Sequence, residues 1–159
     1  MEKIAQYTLD DDPSPKTVSL CTAESLGDVA HLIKPSNTHF VLFLALDATA
    51  IGHEVILSAA IELLARGMVY ICVWGPDCER VHDIFDEADI ERNPQLTEAN
   101  VVMSTWHSKN SLEEAIEFFL YCARPTSDYR NTCSDWVAAV IGNSGWELQV
   151  RASLSQAGG

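Results

Sequence analysis

Cys78, His107 and Asp47 are the residues whose side chains suit catalysis, because each closely follows an apolar segment predicted to be a strand. Cys78 lies beside Asp77 in the predicted first turn of a helix, where backbone amides favour a thiolate. His107 could act as its base and Asp47 could orient the imidazole, giving a Cys-His-Asp relay for a small hydrolase or transferase. The alternative is a packed core thiol, because Cys78 is spaced to join the apolar stripe of that helix.

A metal-dependent enzyme is a second alternative built on the same segments. Cys78 and His82 are four residues apart, a spacing that can place two metal ligands on one helix face. His107 and Asp77 would complete such a zinc site. The sequence shows no second closely spaced ligand pair, and a solvent-edge histidine is the competing interpretation of His82.

The polar segments after the strands also form a candidate binding surface. Tryptophan at the end of a strand can stack on a flat ligand or anchor a protein partner. We therefore expect a non-enzymatic binding or protein-interaction module that uses the strand-end surface. The residues of this predicted surface are Asp47, Trp74, Gly75, Asp77, Glu79, Trp106 and His107.

Three apolar segments must position these residues: His39–Leu46, Met68–Trp74 and Asn100–Thr105. Continuous apolar character indicates strands that are covered on both faces, as in a parallel sheet. Helices are predicted between them, because apolar residues recur there at intervals of three and four. The carboxyl ends of parallel strands share one edge, where α/β folds usually bind ligands, so the candidate residues should lie close together.

The two ends of the chain have different patterns. Residues 1–16 combine clustered aspartates with two prolines, which predicts a disordered or irregular acidic arm. Apolar stripes over Tyr129–Ile141 and Trp146–Leu154 predict a C-terminal helical pair. Residues 17–157 would then form a single α/β domain, a three-layer Rossmann-like or flavodoxin-like parallel sheet with flanking helices.

The charge of the chain restricts its partners. The formal net charge is −13, with 10 Lys and Arg against 23 Asp and Glu. A field of this sign repels phosphate backbones and anionic lipids, so nucleic acids and membranes are not expected partners. It favours a basic protein partner or a small ligand, and it also serves solubility.

Cysteine usage and motif content narrow the class of protein further. The five cysteines include no C-x-x-C pair and do not indicate a disulfide framework, so we expect a reducing, cytoplasmic environment. The G-x-G-x-x-G, P-loop, H-E-x-x-H and G-x-S-x-G motifs are absent from the sequence, and the cofactor remains unknown.

Three segments of the chain carry a family resemblance: Val73–Asp83, Ser104–His107 and Glu113–Phe119. They resemble an uncharacterised family of short bacterial proteins, described as a domain of unknown function. The resemblance covers about Phe40–Trp146. It implies no activity, substrate or cofactor, and it supports a bacterial cytoplasmic origin.

Overall fold

The computed structural model describes residues 1–157, which form a six-stranded sheet between two layers of helices. The strands are β1 (Glu2–Leu9), β2 (Asp12–Ala23), β3 (His39–Ala45), β4 (Met68–Trp74), β5 (Met103–Trp106) and β6 (Cys133–Ile141). The helices are α1 (Val29–Leu32), α2 (His53–Ala65), α3 (Cys78–Arg92), α4 (Leu112–Tyr121) and α5 (Ser144–Gln156). Short 3-10 segments lie at Leu26–Asp28 and Ser127–Thr132.

The strands are arranged in space in the order β1-β2-β6-β3-β4-β5. β1 and β2 pair antiparallel, whereas β2, β6, β3, β4 and β5 all run in one direction. The predicted three-layer α/β fold is thereby confirmed. Its mostly parallel sheet is compatible with a Rossmann-like or flavodoxin-like fold.

Side-chain alternation along the central strands divides the core into two layers. In β3, Phe40, Leu42 and Leu44 pack with α1, α2 and α3, while Val41 and Phe43 pack with α4 and α5. All five side chains are fully buried. A strand covered on both faces has no solvent side, which explains why its sequence is continuously apolar rather than alternating.

Strand β6 replaces the first helix of the predicted C-terminal pair. It lies at the centre of the sheet, between β2 and β3. The prediction of a helix was wrong because Trp136–Ile141 is an uninterrupted apolar run, which satisfies helical and strand spacings equally well. Burial on both faces and the β-branched residues suit a strand. The second helix of the pair is confirmed as α5.

The first residues of the chain form an ordered hairpin of β1 with β2, so the predicted irregular acidic arm is wrong. Two cations offset the aspartates that suggested disorder. Lys16 Nζ lies 2.5 Å from Asp12 Oδ2, and Arg124 Nη2 lies 2.9 Å from Asp11 Oδ1. Arg124 is far from Asp11 in the sequence, so the local charge pattern of residues 1–16 could not reveal this ion pair and wrongly indicated disorder.

Local sequence signals set the ends of several helices. The Ser111 side chain accepts a hydrogen bond from the Glu114 N–H, and the Glu114 carboxylate accepts one from the Ser111 N–H, which starts α4. Gly67 follows α2 with φ 98°, and a Cβ there would meet the Thr38 carbonyl oxygen at 2.2 Å. Within residues 1–157, every helix is too short or too polar to cross a bilayer.

A buried carboxylate anchors the loop before β3 to β6. Asp135 accepts hydrogen bonds from the backbone N–H groups of Ser36 and Asn37, each at 3.0 Å.

We expect Asp135→Ala to lower the free energy of unfolding by about 2–4 kcal/mol, because both amides lose their acceptor. Asp135→Asn should retain most of the stability, because its carbonyl oxygen can still accept from both.

Urea unfolding measures this loss, and Asp128→Ala, at an exposed aspartate in the preceding 3-10 segment, is the matched control. The control should change stability by less than about 0.5 kcal/mol. Equal stability of the Asp135→Ala and Asp128→Ala variants would contradict the anchoring role.

Candidate functional site

The carboxyl ends of β3, β4 and β5 lie side by side, as their parallel register requires. The Leu46 N–H donates to the Trp74 carbonyl at 3.1 Å, and the His107 N–H donates to the Val73 carbonyl at 3.0 Å. The segments singled out in the sequence therefore share one edge of the sheet. The alternation of side chains along each strand decides which of them face one another.

This alternation separates the side chains of Cys78 and His107. Cys78 packs in the core layer formed with α2 and α3. The His107 ring stacks on Phe118 of α4, at 4.8 Å between centroids, on the other face of the sheet. Its two nitrogens hydrogen-bond with Thr105 Oγ1 at 3.0 Å and Asn110 Oδ1 at 3.2 Å. The ring therefore has no nitrogen directed at the thiol, and the relay is not assembled.

The Cys78 thiol does not have the lowered pKa expected of a nucleophile. It is 1% exposed, and burial raises the pKa of the thiol. The backbone amides of His107, Cys78 and Glu79 favour the thiolate and offset the effect of burial only in part. Burial therefore outweighs the backbone amides at this helix N-terminus, and Cys78 packs in the core.

Asp47 and Gly75 shape the loops that leave β3 and β4. Asp47 accepts hydrogen bonds from the N–H of Thr49 at 3.0 Å and from its hydroxyl at 2.6 Å, and these bonds lower the pKa of the carboxyl group. Gly75 has φ 117°, and a Cβ would lie 2.1 Å from the Leu46 carbonyl oxygen. Asp47 is thus engaged in a local turn, and Gly75 permits the close approach of two loops.

Asp77 and Arg80 connect these loops to α3. Asp77 has φ 64° and immediately precedes the helix, so it lies outside the first turn in which it was predicted. Its carboxylate accepts from Arg80 Nε at 2.7 Å. Arg80 Nη2 also donates to the carbonyls of Ala48 and Ile51, at 2.6 and 2.9 Å. The pair fixes backbone geometry at this edge of the sheet.

Trp74 and Trp106 lie on opposite faces of the sheet and do not form one aromatic surface. Trp74 packs on Trp146 of α5 at 5.0 Å, and its Nε1 donates to the Asn110 carbonyl at 3.0 Å. The Trp106 ring packs against His82 of α3 in a tilted arrangement, with 4.5 Å between ring centroids, and the residue is 43% exposed. Of the two rings, Trp106 therefore offers the larger accessible surface.

The surroundings of His82 are acidic but do not resemble a metal centre. Its Nδ1 lies 2.9 Å from Asp83 Oδ1, and its Nε2 lies 3.4 Å from Asp86 Oδ2. Within residues 1–157, no three His, Cys, Asp or Glu side chains converge in a way that could hold a metal ion. The zinc alternative built on Cys78 and His82 gains no geometric support.

Sequence reasoning missed a groove between α3 and β5, at the open edge of the sheet. The groove has a volume of about 270 Å³, and His82, Asp86, Ile90 and Met103 are among its lining residues. Ile90 is 61% exposed, so the groove carries accessible apolar surface. The sequence did contain a signal for this groove: Ile90 is an apolar residue that lies between two acidic residues of α3.

Strand β5 also presents backbone groups to the outside of the sheet. It is the last strand in the spatial order and pairs with β4. The His107 N–H points toward β4, and backbone directions alternate along a strand, so the groups of Ser104 and Trp106 point away from β4. An open edge of this kind can pair with an added strand.

A family model described as "Domain of unknown function (DUF7684)" matches residues 16–157. The match spans strands β3 to β6, all five helices and most of β2. It confirms the resemblance to an uncharacterised family. No curated protein matches the sequence. Function must therefore be argued from the geometry of the site.

Thiol reactivity should distinguish Cys122 from Cys78. Cys122 is exposed, whereas Cys21, Cys72, Cys78 and Cys133 are buried. With a coloured disulfide reagent at about pH 8, we expect one fast-reacting thiol, which Cys122→Ser should abolish. Cys78→Ser should leave the fast phase unchanged. Loss of that phase in the Cys78→Ser variant would restore the case for a nucleophile.

Gly75→Ala should lower the free energy of unfolding by about 2–4 kcal/mol, because alanine brings both a strained φ and a clash with the Leu46 carbonyl. Chemical unfolding measures the change. Gly27→Ala is the matched control, since its Cβ would meet Ser25 Oγ at an ordinary 3.8 Å and its φ is not positive. If the two variants were equally stable, the close approach at Gly75 would have no energetic importance.

Proposed function

We propose a non-enzymatic function for this chain, which belongs to the DUF7684 family: it is a protein-interaction module that binds a basic segment of a partner protein. The segment would pair with the open edge of β5 and place apolar side chains in the groove between α3 and β5. The observation that carries this proposal is the exposed Trp106 at the end of an open edge strand, beside an acidic helix.

Charge complementarity supports a basic occupant. Glu79 and Asp83 are exposed on α3, and Asp86 lines the groove. The net charge of −13 would steer a basic partner toward the chain and raise the rate of encounter. Since β5 is open along its outer side, an extended segment could hydrogen-bond there while its basic side chains reach these carboxylates.

Trp106 is the proposed anchor of the interface. Its ring is held against His82, and 43% of the residue is exposed. A partly ordered tryptophan loses little conformational freedom on binding and can bury a large area, which is why tryptophan is frequent among residues that dominate binding energy. Ile90 would extend the apolar contact along the groove.

The enzymatic alternatives have weaker support. Both His107 nitrogens are engaged by Thr105 and Asn110, and Cys78 is buried with a raised pKa. Of the strand-end surface predicted from the sequence, the proposal keeps Trp106 and Glu79. Asp47, Trp74, Gly75, Asp77 and His107 serve local structure instead.

We extend the proposal to a bacterial cytoplasmic location. All five cysteines are free thiols, and four of them are buried. Unpaired thiols are typical of proteins in reducing compartments. Nucleic acids and membrane surfaces stay outside the proposal, because a net charge of −13 opposes both.

Peptide display against the immobilised protein tests this function. We expect the enriched peptides to alternate apolar with basic residues and to bind with an affinity that falls as salt rises. Trp106→Ala should weaken binding at least about tenfold, because it removes the proposed anchor. Reversing two charges, with Asp83→Lys and Asp86→Lys together, should also weaken it.

Two variants on the other side of the sheet serve as matched controls. Leu148→Ala removes a 68% exposed apolar side chain from α5, and Glu117→Lys reverses an exposed charge on α4. Both control variants should bind the peptides like the wild type. In the wild-type protein, bound peptide should slow amide hydrogen exchange at Ser104 and Trp106. Peptides without basic bias, or unchanged binding by Trp106→Ala, would overturn the proposal.

A further inference from the structure

A second cavity lies at the opposite end of the sheet, near the amino ends of β2 and β6. Its volume is about 360 Å³, within the range of small-molecule pockets. Three cationic side chains line it, together with two aspartates and the buried Trp136. The cations are Lys16, Arg124 and Arg130.

Lys16 is held rigidly in the wall of this cavity. The residue is 4% exposed, and its Nζ lies 2.5 Å from Asp12 Oδ2 and 2.8 Å from Ser14 Oγ. The ammonium also lies 5.4 Å from the centre of the Trp136 ring. Because these contacts are made within the chain itself, the Lys16 ammonium is positioned before a ligand binds. Little conformational entropy is therefore lost on binding.

Arg124 and Arg130 are available for a ligand at the same cavity. Arg124 pairs with Asp11 at 2.9 Å, but the Asp11 side chain is 78% exposed, so this ion pair contributes little and can be exchanged for a ligand. Arg130 is exposed, and the ion pairs found among residues 1–157 do not include it. Both guanidinium groups can therefore donate hydrogen bonds to an entering anion.

Two of the three cations already pair with carboxylates of the same cavity, Lys16 with Asp12 and Arg124 with Asp11, which leaves Arg130 as the unbalanced charge. The chain has 10 Lys and Arg against 23 Asp and Glu, yet three of those cations line one cavity. Arg124 follows the end of α4, where a cation suits the helix dipole. Lys16 is held by Asp12 in the hairpin, so Arg130, in the last turn of the 3-10 segment Ser127–Thr132, is the cavity cation that the ion pairs of residues 1–157 leave for a ligand.

We propose that this cavity binds the phosphate group of a small molecule, with Lys16, Arg124 and Arg130 as its cationic ligands. A tetrahedral phosphate presents oxygens in several directions, so it can meet three cations at once, whereas a carboxylate has two oxygens in one plane. The site is separate from the proposed peptide groove and does not depend on it.

Titration with inorganic phosphate tests the site, followed by the amide NMR signal of Asn131 and by the thermal unfolding midpoint. We expect a saturable shift of the signal and a rise of the midpoint. Arg124→Ala and Arg130→Ala should each weaken phosphate binding at least about tenfold, because each removes charge-assisted hydrogen bonds. Both arginines are accessible at the surface, so these variants should fold normally.

Arg66→Ala is the matched control, since it removes an exposed arginine from the same end of the sheet but outside the cavity. It should bind phosphate like the wild type, and so should Trp106→Ala, which separates this test from that of the peptide groove. Three results would overturn the proposal: no saturable response, phosphate binding equal to the wild type when Arg124→Ala and Arg130→Ala are combined in one variant, or an equal response to acetate at matched ionic strength.

Discussion

The insertion of β6 between β2 and β3 is the constraint on which the rest of the structure depends. β6 pairs with β2 along one side and with β3 along the other, so it joins the N-terminal hairpin to the remaining strands. Asp135, near the start of β6, stabilises this pairing because it accepts hydrogen bonds from the loop that precedes β3. The cationic cavity lies where β6 begins beside β2, so this insertion also creates the second candidate site.

The pleat of the parallel sheet then decides which chemistry the carboxyl edge can support. Parallel strands bring Cys78, His107 and Trp106 to one edge, but alternate residues point to opposite faces. Trp106 thus joins His82 on the α3 side, and His107 joins Phe118 on the α4 side. Proximity along an edge therefore does not by itself bring Cys78 and His107 together, and it leaves Trp106 accessible at the surface.

Sequence patterns predicted the elements whose signals are local. The apolar runs of β3 and β4 and the capping residue Ser111 gave elements close to those observed. The strand β6 was mistaken for a helix because its continuous apolar run has no distinctive period. The hairpin, the state of Cys78 and both cavities depend on contacts between distant segments, such as that of Arg124 with Asp11, and such contacts leave no local pattern.

The helix dipoles explain how one acidic chain can carry two surfaces of opposite character. Glu54, Glu79 and Glu113 lie in first helical turns at the carboxyl edge, while Arg66 and Arg124 follow helices that end at the amino edge. Each glutamate stabilises the start of its helix, and the arginines placed beyond the opposite ends make that pole of the molecule more basic. Because this separation follows from helix stability, the two proposed sites need few further features: Trp106 beside an open edge at one end, and a buried Lys16 at the other.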